Sequence, residues 1–215
     1  MLIGLTGGYC AGKNAAAAML EARGWKTVDV DGLGHEAIEL AHGAIVERFG
    51  ASVVGPDGRL DRRAIARIVF ADPRALADQE AIVHPIAIRL TDERIAAVQA
   101  EAAAAGRESL VCVNAALLHR APQASACAAI VQLRAPLWAR LRRARARDGA
   151  GAREALRRIG RQRGFGRALR AALPPGLPIL PLRNDRGLEE LERGLEVCLS
   201  AIEEIRKRRD GIAGA

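Results

Sequence analysis

Aromatic rings are nearly missing from this chain: three Phe, two Trp and one Tyr make up 3% of its 215 residues. Sheet sandwiches and single-strand nucleic-acid platforms both rely on such rings, so neither is favoured, and the Ala- and Leu-rich remainder points to helix. Long apolar runs are missing too. No stretch reaches the roughly 20 residues that cross a bilayer, and no charged-then-apolar leader precedes the first apolar run at Leu2. The expected setting is cytoplasmic, with no membrane partner. Closely spaced cysteines are also absent: Cys10, Cys112, Cys127 and Cys198 lie far apart, which suggests neither a zinc site nor a disulfide framework. Cys112 and Cys198 sit in apolar runs and read as buried thiols.

Half of the residues are apolar, and the length suffices for a full core, as one domain with insertions or two small ones. The net charge is +8. Much of that excess lies between Arg134 and Arg170, in a block that includes Arg140, Arg142, Arg143, Arg158, Arg161 and Arg163. Such a block binds nucleic acid, covers a small anionic ligand, or forms a solvated helix face. Only Trp138 and Phe165 stand near it, too few rings for base stacking, which favours phosphate chemistry over nucleic acid.

The opening residues carry the sharpest signal. Leu2, Ile3 and Leu5 read as a buried strand that enters a glycine-rich turn, and the alanine run Ala15 to Ala18 then starts a helix. Gly7, Gly12 and Lys13 keep the spacing of a phosphate-binding loop, G-x-x-x-x-G-K. In such a loop backbone N–H groups point inward at phosphate oxygens, and the helix N-terminus adds a favourable field. The expected nucleotide cradle is Gly7, Gly8, Tyr9, Cys10, Ala11, Gly12, Lys13, Asn14 and Ala15. Asn14 stands where Ser or Thr is usual, and its amide oxygen is expected to be a weak magnesium ligand. The plain alternative is a glycine turn that merely joins strand to helix.

Gly24 ends the first helix, and Trp25 to Asp31 reads as a second strand with alternating Val28 and Val30. Asp31 then falls at the strand's carboxyl end, the edge where open α/β sheets bind ligands. A carboxylate there accepts a proton from a hydroxyl nucleophile or helps hold magnesium; the alternative is an N-cap for a helix from Gly32 to Leu40. The next stretch is helical: Ala44–Phe49, an Asp61-capped helix Arg62–Phe70, a helix from Asp72-Pro73 to His84-Pro85, and another from Ile86 towards Ala104. Strands return at Ser109–Val113 and Ala128–Leu133. The arginine block forms helices broken near Gly149 to Gly151. A proline-interrupted edge strand, Leu177–Leu182, precedes an amphipathic helix from Leu188 to about Lys207.

In its motifs the chain resembles the dephospho-coenzyme A kinase family over nearly its whole length. The resemblance is carried by Ile3 to Gly8 with Gly12-Lys13, by Val28-Asp29-Val30-Asp31, and by Gly58-Arg59-Leu60-Asp61-Arg62-Arg63 followed by Phe70 and Ile82-Val83-His84-Pro85. Leu141, Arg143, Arg147 and Asp148, then Arg158-Ile159 with Gln162, then Asn184 and Leu188 to Leu191, match its later elements. Two segments depart from it: Ala115 to His119 replaces P-L-L-x-E, putting a histidine where a carboxylate is usual, and Leu177 to Asn184 keeps little of the A-D-x-V-I-x-N ending.

The resemblance implies an α/β fold: a P-loop NTPase-like parallel sheet flanked by helices, with an inserted helical substrate subdomain and a basic lid. It implies one kinase domain over 1–215, with core about 1–31, 107–137 and 177–207, insertion about 32–106 and lid about 138–173. ATP and Mg2+ would be the cofactors and dephospho-CoA the small-molecule partner, phosphorylated at its ribose 3′-hydroxyl. Lys13, Asp31 and Arg143 would be catalytic, and His84 and Arg62 would join Asp31 near the acceptor. A monomer or small homo-oligomer is expected. Two alternatives stay open: a kinase for another nucleotide-like acceptor, and a relative that binds nucleotide or RNA without turnover.

Overall fold

A computed structural model describes residues 1–148, 151–160, 162 and 164–213, with the side chains of Asp148 and of 209–213 excepted. Strand β1 (Leu2–Gly7) leads through the glycine loop into helix α1 (Lys13–Glu21), and strand β2 (Lys26–Asp29) follows. Gly24, at φ 85°, closes α1, and the Trp25 N–H returns to the Leu20 carbonyl at 3.1 Å. After a helical stretch come β3 (Val111–Asn114) and β4 (Ile130–Arg134), and later β5 (Ile179–Arg183). The sheet order is β2-β3-β1-β4-β5, with β1 parallel to β3 and β4, and β4 parallel to β5. Pro181 lies in an edge strand, where a missing N–H removes no central ladder bond.

The chain divides into two compact units, 1–28 with 97–215, and 29–96. In the first, a parallel sheet needs both faces covered, which explains why β1 and β3 are apolar without alternation. Ile3, Leu5, Leu20, Leu182, Leu191, Leu195 and Ile202 share one core, the last three from α9 (Leu188–Ala213). Each fully buried leucine contributes about 1.5–3 kcal/mol relative to an exposed one. Cys112, Cys127 and Cys198 are buried free thiols, and burial pushes Cys127 up to about 12.

The second unit has its own core of Ala37, Ile45, Val53, Leu60, Ile65, Val69 and Val83. It holds α2 (Val30–Leu40), α3 (His42–Phe49), α4 (Arg62–Ala71) and most of α5 (Pro73–Ala104). Asp61 caps α4 through the N–H groups of Arg63 and Ala64, at 2.8 and 3.2 Å. Two expectations are corrected here. The second strand ends at Asp29, so Asp31 lies not at a strand end but in the first turn of α2. The two helices expected to meet at His84-Pro85 are one helix of 32 residues. Pro85 offers no N–H to the carbonyl of Ala81; Ala81, His84 and Pro85 are all exposed, while Val83 anchors the same turn in the core.

The arginine block forms α6 (Leu137–Asp148), α7 (Ala152–Gly160) and α8 (Phe165–Ala172) in the first unit. The expected break at Gly149, the side chain of Asp148, and Arg161 and Arg163 lie outside the described residues. No helix among the described residues is long and apolar enough to cross a membrane.

Candidate active site

The loop between β1 and α1 has the backbone of an anion cradle. Gly12, at φ 108° and ψ 20°, is the N-cap of α1 and offers no side chain to the first helical N–H groups; the first turn carries no acid. A helix start without a side-chain cap suits an anionic ligand. Lys13 is the first helical residue and half-buried; Asn14 follows and is exposed. Cys10 is the one non-glycine with positive φ among the described residues, at 57°, a conformation that costs roughly 1 kcal/mol.

Polar side chains are buried where the sheet meets this loop. Thr6 of β1 pairs in register with Gln132 of β4, and Leu5 with Asn114 of β3; Thr6, Gln132 and Asn114 are at most 6% exposed. The Asn114 Oδ1 is buried with no hydrogen-bond partner in the described structure. Gln132 Oε1 accepts from Arg134 at 3.2 and 2.9 Å. A cavity of about 190 Å³ opens beside the loop, lined by Gly8, Ala11, Gln132, Arg134, Arg140, Gln162 and Phe165 among others. Buried polar groups at the carboxyl edge of a parallel sheet mark a ligand site.

Asn184 braces the loop from below. It is 3% exposed, its Nδ2 donates to the Ala11 carbonyl at 2.9 Å, and its Oδ1 accepts from Arg143 Nη2 at 2.8 Å. A Cβ on Gly12 would stand 2.0 Å from that Nδ2. Gly12→Ala should therefore carry about 1–3 kcal/mol of backbone strain before the clash is counted. Chemical denaturation should show the lost stability, and nucleotide titration a parallel loss of affinity.

The arginines sort by helix face. Arg140, Arg143 and Arg147 recur at helical spacing on α6 and reach the loop, Arg147 from an exposed position, whereas Arg142 and Arg145 are exposed on the other side of the helix. Arg143 Nη1 lies 3.4 Å from the carbonyls of Cys10 and Ala11, and its Nη2 reaches the Asn184 backbone oxygen at 3.0 Å. Burial, then Arg142, lowers the Arg143 guanidinium from its ordinary value, and burial lowers Arg140 as well. Carbonyl oxygens answer both charges. Arg140, Gln132, Gln162 and Asn184 were not among the expected site residues.

In the second unit, Asp31 is exposed in the first turn of α2. Arg62 begins α4 and pairs with Glu39 at 3.0 Å, so its head group already has a partner. His84 is exposed on α5.

His119, which stands where the resemblance expects a carboxylate, packs edge-on against Phe165 with centroids 5.6 Å apart. Its Nδ1 is buried without a partner in the described structure. Burial, with Arg120 adding to it, holds its imidazole below the ordinary value. The unfolded chain then takes up a proton near pH 6.5 that the folded one refuses. Stability from this group is present above about pH 6.5 and is lost as pH falls through the lowered folded value. Thermal unfolding between pH 7.5 and 5 should fall more steeply for the native protein than for His119→Gln.

Comparison with known proteins agrees with this geometry. A family model described as dephospho-CoA kinase matches residues 1–172. The dephospho-CoA kinase of Anaeromyxobacter dehalogenans is 41% identical over 166 residues, covering 75% of each chain. That of Thermus thermophilus is 34% identical over 206 residues, 94% of this chain and 92% of the other. A Thermus thermophilus crystal structure superposes with a TM-score of 0.76 at 33% identity, covering 94% of this chain and 97% of that one. The dephospho-CoA kinase of Campylobacter jejuni shares the fold, with a TM-score of 0.66 at 17% identity over 97% of this chain and 98% of that one. With a family model matched over residues 1–172 and a relative 34% identical over 94% of this chain, the chain belongs to the dephospho-CoA kinase family.

Proposed function

We propose that this chain moves the γ-phosphoryl group of ATP to the ribose 3′-hydroxyl of dephospho-coenzyme A, giving coenzyme A and ADP in the cytoplasm. The observation that carries this is the uncapped N-terminus of α1 behind Gly12, in a chain whose family model spans the loop, the helical unit and most of the lid. The N–H groups of the loop and α1 hold the phosphate oxygens. Lys13 stabilises charge on the β- and γ-phosphates, Arg143 stabilises the group in transfer, and Asp31 orients or deprotonates the attacking hydroxyl. The helical unit receives the acceptor, with His84 and Arg62 beside it, and the arginine helices serve as the lid.

Mg2+ accompanies ATP in this reading and would neutralise charge building on the phosphates. Among the described residues no group of three His, Cys, Asp or Glu is placed to hold a metal. Asn14 offers one neutral, exposed oxygen, which fits an ion held chiefly by phosphate oxygens and water. Incubating the purified chain with ATP, Mg2+ and dephospho-CoA should yield coenzyme A. Folded protein that binds ATP and gives no product would overturn the proposal; product only with another nucleotide-like acceptor would replace its substrate.

A further inference from the structure

Tyr9 is the single tyrosine of the chain, and the lid holds it by both backbone groups and by its hydroxyl. Its N–H donates to Gln162 Oε1 at 2.6 Å, its carbonyl accepts from Arg140 Nε at 2.7 Å, and its hydroxyl accepts from Arg158 Nη1 at 3.1 Å. Two guanidinium groups lie over the ring, Arg147 at 5.3 Å and Arg158 at 5.4 Å from its centroid. These partners come from α6, from α7 and from the turn before α8, so one loop residue gathers three separate pieces of the lid. Gly8, next to it, packs close under the lid: a Cβ there would meet Arg140 Nη2 at 2.7 Å and the guanidinium would have to shift.

We infer that Tyr9 is a positioning residue that docks the arginine lid on the glycine loop that would hold ATP. The two backbone contacts are open to any residue at this position. The two ring contacts require an aromatic side chain and the hydroxyl bond requires tyrosine, and together they suffice to shift a docked–undocked equilibrium about tenfold or more. ATP binds in proportion to the fraction of molecules with the lid in place, so losing those contacts weakens its apparent affinity by up to the same factor, reached when the undocked lid predominates without them. At saturating ATP the nucleotide itself pulls the lid in, and turnover changes little. The acceptor makes no demand on this contact.

The test compares Tyr9→Leu and Tyr9→Phe in the full chain. Tyr9→Leu should raise the KM for ATP about tenfold while kcat and the KM for dephospho-CoA stay within about twofold. Tyr9→Phe keeps the ring and should recover to within about threefold of the native value. In ligand-free protein, trypsin should cut Tyr9→Leu about tenfold faster at exposed lid arginines such as Arg145 and Arg153, with an unchanged thermal midpoint. Unchanged cleavage would overturn the inference even if the KM for ATP rises, because Tyr9 also lies in the expected nucleotide loop. So would parallel losses in kcat and both KM values, the mark of a general structural fault. The role presupposes ATP-dependent transfer on this loop, and the proteolysis is read without substrate to separate the two. A lid still protected by Tyr9 in a protein that makes no product sinks the kinase reading alone, whereas product formation with no effect at Tyr9 sinks the docking role alone.

Discussion

Asp31→Asn should lower kcat by about 10²- to 10⁴-fold, the usual contribution of a positioned general base, and leave the KM for ATP unchanged. The substitution keeps the size of the side chain and one acceptor oxygen, and removes the charge and the basicity. Asp31 is exposed in the first turn of α2, where a negative charge contributes about 0.3–1 kcal/mol through the helix dipole. The nearest structural role, the N-cap, falls to Asp29, whose side chain makes no capping bond. A rate loss of that size with near-native unfolding then reports chemistry rather than folding. Steady-state kinetics against both substrates, with chemical denaturation alongside, measures it. A rate within tenfold of the native enzyme would remove Asp31 from the transfer step and leave it as a charge at a helix start.

The placing of Asp31 also shows where sequence periodicity misleads. Val28 and Val30 alternate as in a strand, yet Val30 opens a helix whose buried face continues at Leu33 and Ala37. Three residues at helical spacing outweigh two at strand spacing once the helix has a core to pack against. Pro85 misled for a related reason. An interior proline costs roughly 3 kcal/mol in an exposed host helix, but the buried Val83 and the half-buried Ile82 and Ile86 hold these turns to the core of the second unit. By contrast, the strands at Leu2, Val111, Ile130 and Ile179 were legible within one or two residues, because buried parallel strands are short apolar runs between turn signals.

The strand–glycine turn–helix that opens the chain was legible because its geometry is local. Strand, glycine turn and helix follow one another within about twenty residues, and each glycine answers a backbone need that spacing reveals. The bracing of the loop was not legible. Tyr9 meets Gln162 across 153 positions and Asn184 meets Ala11 across 173, and neither pair follows a helical or strand period. One signal was present: Thr6, Asn114 and Gln132 interrupt apolar strand runs at the same sheet edge, and a polar residue in a buried run asks for a partner.

Arg143→Ala should cut kcat by about 10³-fold or more, the cost of removing a transition-state arginine from a phosphoryl-transfer site. The same change carries a structural cost, because the guanidinium spans the loop carbonyls of Cys10 and Ala11 on one nitrogen and Asn184 on the other. Leaving the Asn184 Oδ1 and those carbonyls without their donor costs about 1–3 kcal/mol. The two effects separate by measurement: kcat is taken at saturating substrates well below the unfolding midpoint, and stability is taken by denaturation. Arg143→Lys should restore little of either. A lysine places its charge at one point and lacks the planar fork that reaches both sets of oxygens at once. If stability falls while kcat drops less than tenfold, Arg143 braces the loop and the transferring group is met by another lid cation, for which Arg140, bound to the Tyr9 carbonyl three residues earlier on α6, is the first substitution to make.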